Sequence, residues 1–233
     1  FLQNAWQGGM AEYWPYAHDA QAAERVASEK FQRYSDLMAA SQGFVVQEIL
    51  TSYSFANHRC VLDVGAGKGR FASELAVHAP HLQLKLFDLP PVLELAGANF
   101  KAKGLSDRAS LHPGNFLHDN LPQGADLVTL VRVAHDHPDE VVKQLLQKIH
   151  AALPPGGVLL LAEPMAQTTG QPGPPDPYFH FYLLAMGSGR LRTATELTAL
   201  MQQAGFTAIE TVPNRLPLHA QLLLGRRSRG LPV

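Results

Sequence analysis

Cys60-Val61-Leu62-Asp63-Val64-Gly65-Ala66-Gly67-Lys68-Gly69 is the stretch that decides the fold of this 233-residue chain. Cys60 to Val64 reads as a short apolar strand, the glycines as a tight turn, and Arg70 to Ala79 as the helix that follows. Glycines at 65, 67 and 69 admit backbone angles closed to other residues and let a ligand lie against the main chain. The start of the helix adds unpaired N–H groups and a partial positive charge. A second apolar stretch, Leu82 to Phe87, ends in Asp88. That puts a carboxylate about 20 residues past the glycines, where a ribose hydroxyl needs an acceptor. The combination predicts a nucleotide or nucleoside cofactor.

The spacing narrows the choice. A dinucleotide fingerprint needs a glycine three positions after Gly67, where this chain has Arg70. A phosphate-binding P-loop needs Gly-Lys followed by Ser or Thr, and Lys68 is followed by Gly69. What remains is G-x-G-x-G behind a strand carrying Asp63, with Asp88-Leu89-Pro90 beyond. This resembles the S-adenosylmethionine (SAM) site of class I methyltransferases. The plainer alternative for the glycines is a structural turn in any α/β sheet, and Asp88 favours the cofactor.

Downstream, Phe71, Leu75 and Ala79 share a helix face that Pro80 ends. Leu82, Leu84 and Leu86 alternate with Gln83 and Lys85, which places that strand away from the sheet centre. Pro91 opens a helix running to about Lys103, and Ala109 to His112 is a short strand before Pro113-Gly114-Asn115-Phe116. Asp126 to Val133 reads as a buried strand leading into Ala134-His135-Asp136-His137, and a helix follows from Pro138 to Leu153. Val158 to Ala162 is an apolar strand ending at Glu163. Residues 164–177 read as a Pro/Gly-rich loop, Tyr178 to Met186 as an aromatic helix, and Thr193 with Glu196 as a capping box. Phe206 to Val212 and Leu218 to Leu224 are two closing strands, and Arg226, Arg227 and Arg229 form a basic tail expected to be solvated. Strands alternating with helices predict an α/β fold, a doubly wound, mostly parallel sheet. The last two strands, with no helix between them, imply one antiparallel strand. Seven strands in this pattern match the Rossmann-like sheet of class I methyltransferases.

Upstream, residues 1–22 carry Trp6, Tyr13, Trp14 and Tyr16, which suits an anchoring segment, a pocket wall or ordinary packing. Glu24 to Leu50 is helical in pattern, with a break at Gly43. Hydrophobic content of 46% with 17% charged residues fits a globular protein, and a net charge of -1 argues against a nucleic-acid partner. One cysteine excludes an intramolecular disulfide and points to a reducing, cytoplasmic compartment. No apolar run approaches the ~18 residues that span a bilayer.

In a doubly wound sheet the ligand lies beyond the carboxyl ends of the strands. The residues expected there are Gly65 to Gly69, Asp88, Asn115, Phe116, His135 and Glu163, each of which follows a strand. Gly65 and Gly67 would admit the methionine part of SAM, Asp88 would accept from the ribose hydroxyls, and Asn115 and Phe116 would meet the adenine. Asp63, Leu89 and Arg132 complete the cofactor-binding set. Methyl transfer requires the acceptor to be lined up and deprotonated. His135 is the candidate base, because imidazole titrates near neutral pH, and Glu163 would orient it. Helix capping or simple packing is the alternative role for His135. His135-Asp136-His137 lacks further ligands at metal spacing, so no metal is expected.

The chain resembles the plant caffeate-type family of SAM-dependent O-methyltransferases from about Phe31 to Leu224. The matching parts are Leu62 to Gly69, Phe87-Asp88-Leu89-Pro90, Gly114-Asn115-Phe116, His135-Asp136 with Asp139-Glu140, Ala162-Glu163 and Arg192-Thr193 before Ala204-Gly205-Phe206. The resemblance puts the family's catalytic base on His135 and one flanking acid on Glu163. Its second acid falls near Leu191 and is lost; His137 stands where the family usually has Trp, and Asn115 where it usually has an acid. Asp136-His137-Pro138-Asp139 and Phe179 to Arg190 look most like the bacterial carotenoid O-methyltransferases, which act on hydroxyneurosporene and demethylspheroidene. An acceptor pocket from Met38, Tyr178, Phe179, Tyr182 and Met186 would suit a long polyene. The resemblance also implies an N-terminal dimerisation domain. Residues 1–50 are then a remnant of it or a linker to it, residues 51–233 the SAM-binding catalytic domain, and the full-length protein a homodimer, soluble or peripheral to a membrane.

A tertiary alcohol is far less acidic than a phenol, so an imidazole base matches it poorly. Methylation of a phenolic natural product, or of a tetrapyrrole carbon, is therefore the alternative, and a SAM-binding module without catalysis is a further one. A nicotinamide dehydrogenase is the outside reading.

Overall fold

The computed structural model describes residues 42–167, 177–186, 188–215, 217 and 220–229. Met38 lies outside these residues, as do residues 1–22 and most of the helix expected from Glu24. The side chains of Tyr178 and Met186, two of the expected acceptor contacts, are also outside the description.

Helix α1 (Gly43–Ser52) precedes β1 (Cys60–Val64), α2 (Arg70–His78), β2 (Gln83–Asp88), α3 (Pro90–Ala102) and β3 (Ala109–Pro113). β4 (Leu127–Val131), α4 (Asp139–Ala152), β5 (Val158–Glu163), α5 (Pro177–Met186), α6 (Ala194–Gln203), β6 (Phe206–Val212) and β7 (Gln221–Arg227) follow. The seven strands form one sheet in the order β3-β2-β1-β4-β5-β7-β6. β1 to β5 pair in parallel, and β7 runs antiparallel to both of its neighbours. This is the doubly wound sheet with one reversed strand expected from the sequence, with β2 one place from the edge as its polar alternation requires.

Local sequence accounts for the element ends. α2 buries Phe71, Ala72, Leu75 and Ala76 on one stripe and stops at Ala79, before Pro80. Prolines 90 and 91 occupy the first turn of α3, where a missing N–H costs nothing. α4 carries Asp139 and Glu140 in its first turn, the favourable end of the helix dipole for acids. Thr193 and Glu196 make the reciprocal capping box at the start of α6.

Strand parity splits the interior into two cores. On β5, Val158, Leu160 and Ala162 pack with α1, α2 and α3. Leu159 and Leu161 pack with α4 and α6 on the other face. Both faces being covered, β5 is buried throughout.

Two expectations need correction. β4 ends at Val131 rather than Val133, because Arg132 takes a left-handed conformation (φ 56°) that a strand cannot continue. The final strand runs Gln221–Arg227, so Arg226 and Arg227 belong to the sheet rather than to a solvated tail. Its pairing with β5 extends to Val158 opposite Arg226. The Arg227 guanidinium turns onto the carbonyls of His150, Ala151 and Leu153, at the end of α4.

Candidate active site

The tips of β1 and β2 meet at the glycine turn. Gly65 N–H donates to Phe87 O (2.9 Å), while Gly67 N–H donates to Asp88 Oδ2 (2.8 Å) and Leu89 N–H to Asp88 Oδ1 (2.7 Å). Gly65 has φ +71°, and a Cβ there would lie 2.6 Å from Val133 Cγ2, so only glycine lets the turn approach the loop after β4. A Cβ at Gly67 would meet nothing within 4 Å, which leaves open space over the turn. Burial pushes Asp88 up to about 6 against the two N–H donors that favour its charged form. Asp63 is 4% exposed and lies beneath the turn, taking a hydrogen bond from Thr129 Oγ1 (2.8 Å). Burial pushes it up to about 7, with Thr129 opposing and the Asp88 charge adding. Asp63 is therefore tied across the sheet to β4, and Asp88 is the carboxylate bonded to the turn beside the open space.

Beyond β3, Gly114 N–H donates to Asp88 O (3.0 Å) and joins the next loop to this cluster. Asn115 Oδ1 accepts from Leu117 N–H (2.9 Å), while Asp119 Oδ2 accepts from Asn115 N–H (2.7 Å). The Asn115 side chain thus folds its own loop. Phe116 meets His137 edge to face, ring centroids 5.2 Å apart.

The left-handed Arg132 redirects the chain after β4 into a 3-10 turn, Ala134–Asp136. Such a conformation is costly for a residue with a Cβ, by ~1–2 kcal/mol, and persists where the surroundings enforce it. Glu163, at the tip of β5, supplies that enforcement. Its Oε1 accepts from the N–H groups of Val133 and Ala134, both at 2.7 Å, and its Oε2 meets His135 Nδ1 at 2.7 Å. A carboxylate is an acceptor only, so Nδ1 is the donor and the neutral ring keeps its lone pair on Nε2. Nε2 stands 3.3 Å from Asp136 Oδ1. His135, Asp136 and Glu163 are 3%, 7% and 1% exposed. Burial acts to lower the His135 pKa, but the charges of Asp136 and Glu163 outweigh it and the net shift is upward. Burial raises Asp136 too, and the Glu163 charge adds to that against the attraction of His135. Two carboxylates flank one imidazole, Glu163 bonded at Nδ1 and Asp136 beside Nε2. Burial, then the charge on His135, pushes His137 down to about 4, so it stays neutral. α4 has Pro138 at its N-cap with no side-chain cap, so His135 is not a capping residue.

α5 lays two aromatic rings against the imidazole, Phe179 at 6.0 Å and Tyr182 at 6.3 Å between centroids. The Arg132 guanidinium sits 5.5 Å from the Phe179 ring centroid. Gly65, Gly67, Asp88 and Leu89 thus form one cluster, and Arg132, His135, Glu163, Phe179 and Tyr182 a second. Val133 against Gly65 joins them.

Sequence reasoning missed Asp136 and Arg192. In an extended strand Asp136 would point away from its neighbour His135, and only the 3-10 turn brings the pair together. Arg192, 2% exposed, gives no local signal, because most of its partners lie more than fifty positions upstream.

A family model for the O-methyltransferase domain matches residues 1–207. Demethylspheroidene O-methyltransferase of Rhodobacter capsulatus is 43% identical over 209 residues, which are 90% of this chain and 51% of the relative. The enzyme of the same name from Cereibacter sphaeroides is 38% identical over 232 residues, 100% of this chain and 61% of the relative. The chain thus spans between half and two thirds of the length of these relatives. Among solved structures, human N-acetylserotonin methyltransferase in complex with SAM superposes with a TM-score of 0.79 at 25% identity, covering 94% of this chain and 62% of that one.

Proposed function

From the premise that this chain belongs to the O-methyltransferase domain family, we propose that it moves a methyl group from SAM to a hydroxyl of a lipophilic acceptor, a hydroxylated carotenoid of the demethylspheroidene type. The observation that carries this reading is the His135 imidazole held by Glu163 at 2.7 Å and walled by aromatic rings, on the loop whose Val133 packs against Gly65 of the glycine turn.

The residues fit the cofactor. The open space over Gly67 admits an adenosyl group against bare backbone, and the Asp88 carboxylate beside it suits ribose hydroxyls. Phe116 would meet the adenine, and Arg132 would complete the cofactor-binding set. When bound, SAM supplies an electrophilic methyl on a sulfonium, so the protein need only orient the acceptor and take its proton. Glu163 fixes the His135 tautomer and points Nε2 away from β5; Nε2 takes the hydroxyl proton, and the resulting imidazolium rests between Glu163 and Asp136. The same carboxylates make His135 a stronger base than a free imidazole, which eases the mismatch with a weakly acidic alcohol. Phe179 and Tyr182 shut water away from the imidazole and give a polyene an apolar wall.

Among the described residues no helix is long and apolar enough to cross a membrane. A carotenoid acceptor is membrane-dissolved, so the reading puts the protein in the cytoplasm, peripheral to that membrane, with the full-length protein a homodimer. Labelled SAM with a panel of carotenoid, phenolic and porphyrin acceptors tests the activity. Label is expected on the carotenoid hydroxyl, and label on phenols alone would replace that acceptor. His135→Ala is expected to lower turnover about 10²- to 10⁴-fold. Affinity for S-adenosylhomocysteine should be kept, and unchanged turnover would remove His135 from the chemistry.

A further inference from the structure

Arg192 is buried, and its guanidinium donates four hydrogen bonds. Nε donates to Asp139 Oδ1 (2.8 Å), Nη1 to Ala134 O (2.8 Å) and Arg190 O (3.4 Å), and Nη2 to His137 O (2.7 Å). Nη2 also stands 2.7 Å from Asp139 Oδ1. Two of these acceptors, Ala134 O and His137 O, bracket His135 and Asp136 in the chain. The backbone of Arg192 faces the other way: it bridges to Met165, and its carbonyl accepts from Ala166 N–H (2.9 Å), just past Glu163 on the chain leaving β5. One residue therefore grips the His135 turn with its side chain and the extension of the Glu163 strand with its main chain.

The neighbouring residues close the same seam. Arg190 N–H donates to His135 O (3.0 Å), and Ser188 Oγ donates to Asp136 O (3.1 Å). Gly189 has φ +77°, and a Cβ there would stand 2.1 Å from His135 O, so the segment lies against the turn at a distance only glycine allows. This segment directly follows α5, which carries Phe179 and Tyr182.

We propose that Arg192 is a positioning residue for His135: its guanidinium fork sets the 3-10 turn against the tip of β5, and so fixes the His135–Glu163 contact and the aromatic wall beside it. The assignment rests on His135 being the base. A planar fork with five donors meets acceptors in several directions at once, and a lysine ammonium in the same place cannot span them while carrying the same charge.

Arg192→Lys separates placement from charge. The readouts are the His135 titration followed by NMR (its resonance identified by comparison with His135→Gln), turnover with SAM, and affinity for S-adenosylhomocysteine. The turn should loosen from Glu163, His135 should titrate at lower pH, and kcat should fall about 10- to 100-fold. Affinity for S-adenosylhomocysteine should stay within about threefold. Asp139→Asn alters the fork's one solvent-facing partner and should move the same readouts less far in the same direction, which keeps the test open if the lysine variant does not fold. A His135 titration and kcat that stay at wild-type values in the folded variants would overturn the proposal, even with a lower melting temperature. Wild-type protein that transfers no methyl while Arg192→Lys still shifts His135 would retire the methyl-transfer reading and keep the tether.

Discussion

Around the His135 imidazole stand two acids, Glu163 and Asp136, one cation, Arg132, the neutral His137, and the rings of Phe179 and Tyr182. The acids win, so the imidazole is poised above the ordinary histidine range. Asp136→Asn removes one of them. The folded-state pKa of His135 should fall, and since the proposed mechanism uses the neutral ring, the acid limb of the kcat–pH profile should move to lower pH. A profile that stays put would show that Asp136 does not act on the imidazole. Asp88 makes a second prediction. Its carboxylate titrates near 6, so affinity for S-adenosylhomocysteine should be steady above that value and weaken below it, by at most about tenfold per pH unit. Calorimetry across pH 5 to 8 reads this, and Asp88→Asn should flatten the slope. Asp88, His135 and Glu163 were legible in the sequence, because each follows an apolar strand whose tip the fold sends to one edge. Asp136 and Arg192 were not. Their roles come from a three-residue turn and a contact across more than fifty positions, neither of which leaves a periodic trace.

At the scale of elements, boundaries were readable wherever they rest on local chemistry. Pro80, Pro91 and the Thr193–Glu196 box mark their helix ends with side chains that act within one turn, although α3 begins one residue earlier, at Pro90. The end of β7 was misread, since Arg226 and Arg227 look like a solvated tail unless their tertiary partners are known. Arg227 takes three carbonyls that α4 leaves open at its end. Arg227→Ala should cost about 1–3 kcal/mol in a urea titration, the penalty for partly buried acceptors left without donors. Arg229→Ala is the control, and equal effects would show that Arg227 is no cap.

The whole molecule is a sheet with separate cores on its two faces. Leu75, on α2, belongs to one, and Leu145, on α4, to the other; both are at or near zero exposure. Each to alanine should cost about 2–5 kcal/mol, and the pair should add to within about 0.5 kcal/mol, as sites with no shared neighbours do. A large coupling in the double variant would mean that the faces communicate through the sheet. The fold class was open to sequence reasoning for this reason: strand parity and helix stripes write both cores into the order of apolar residues.

β5 carries one further consequence. Its odd-numbered positions, Leu159 and Leu161, look toward α4, and Glu163 continues the same count to the strand tip. Chemistry and packing therefore keep a common beat. Dropping or adding one residue between Leu161 and Glu163 would put the carboxylate out of step with the leucines, so that either the leucines change sides or the carboxylate swings off the imidazole. No sliding of the strand can mend one fault without making the other, so length changes in this family should fall in the loops and spare this strand.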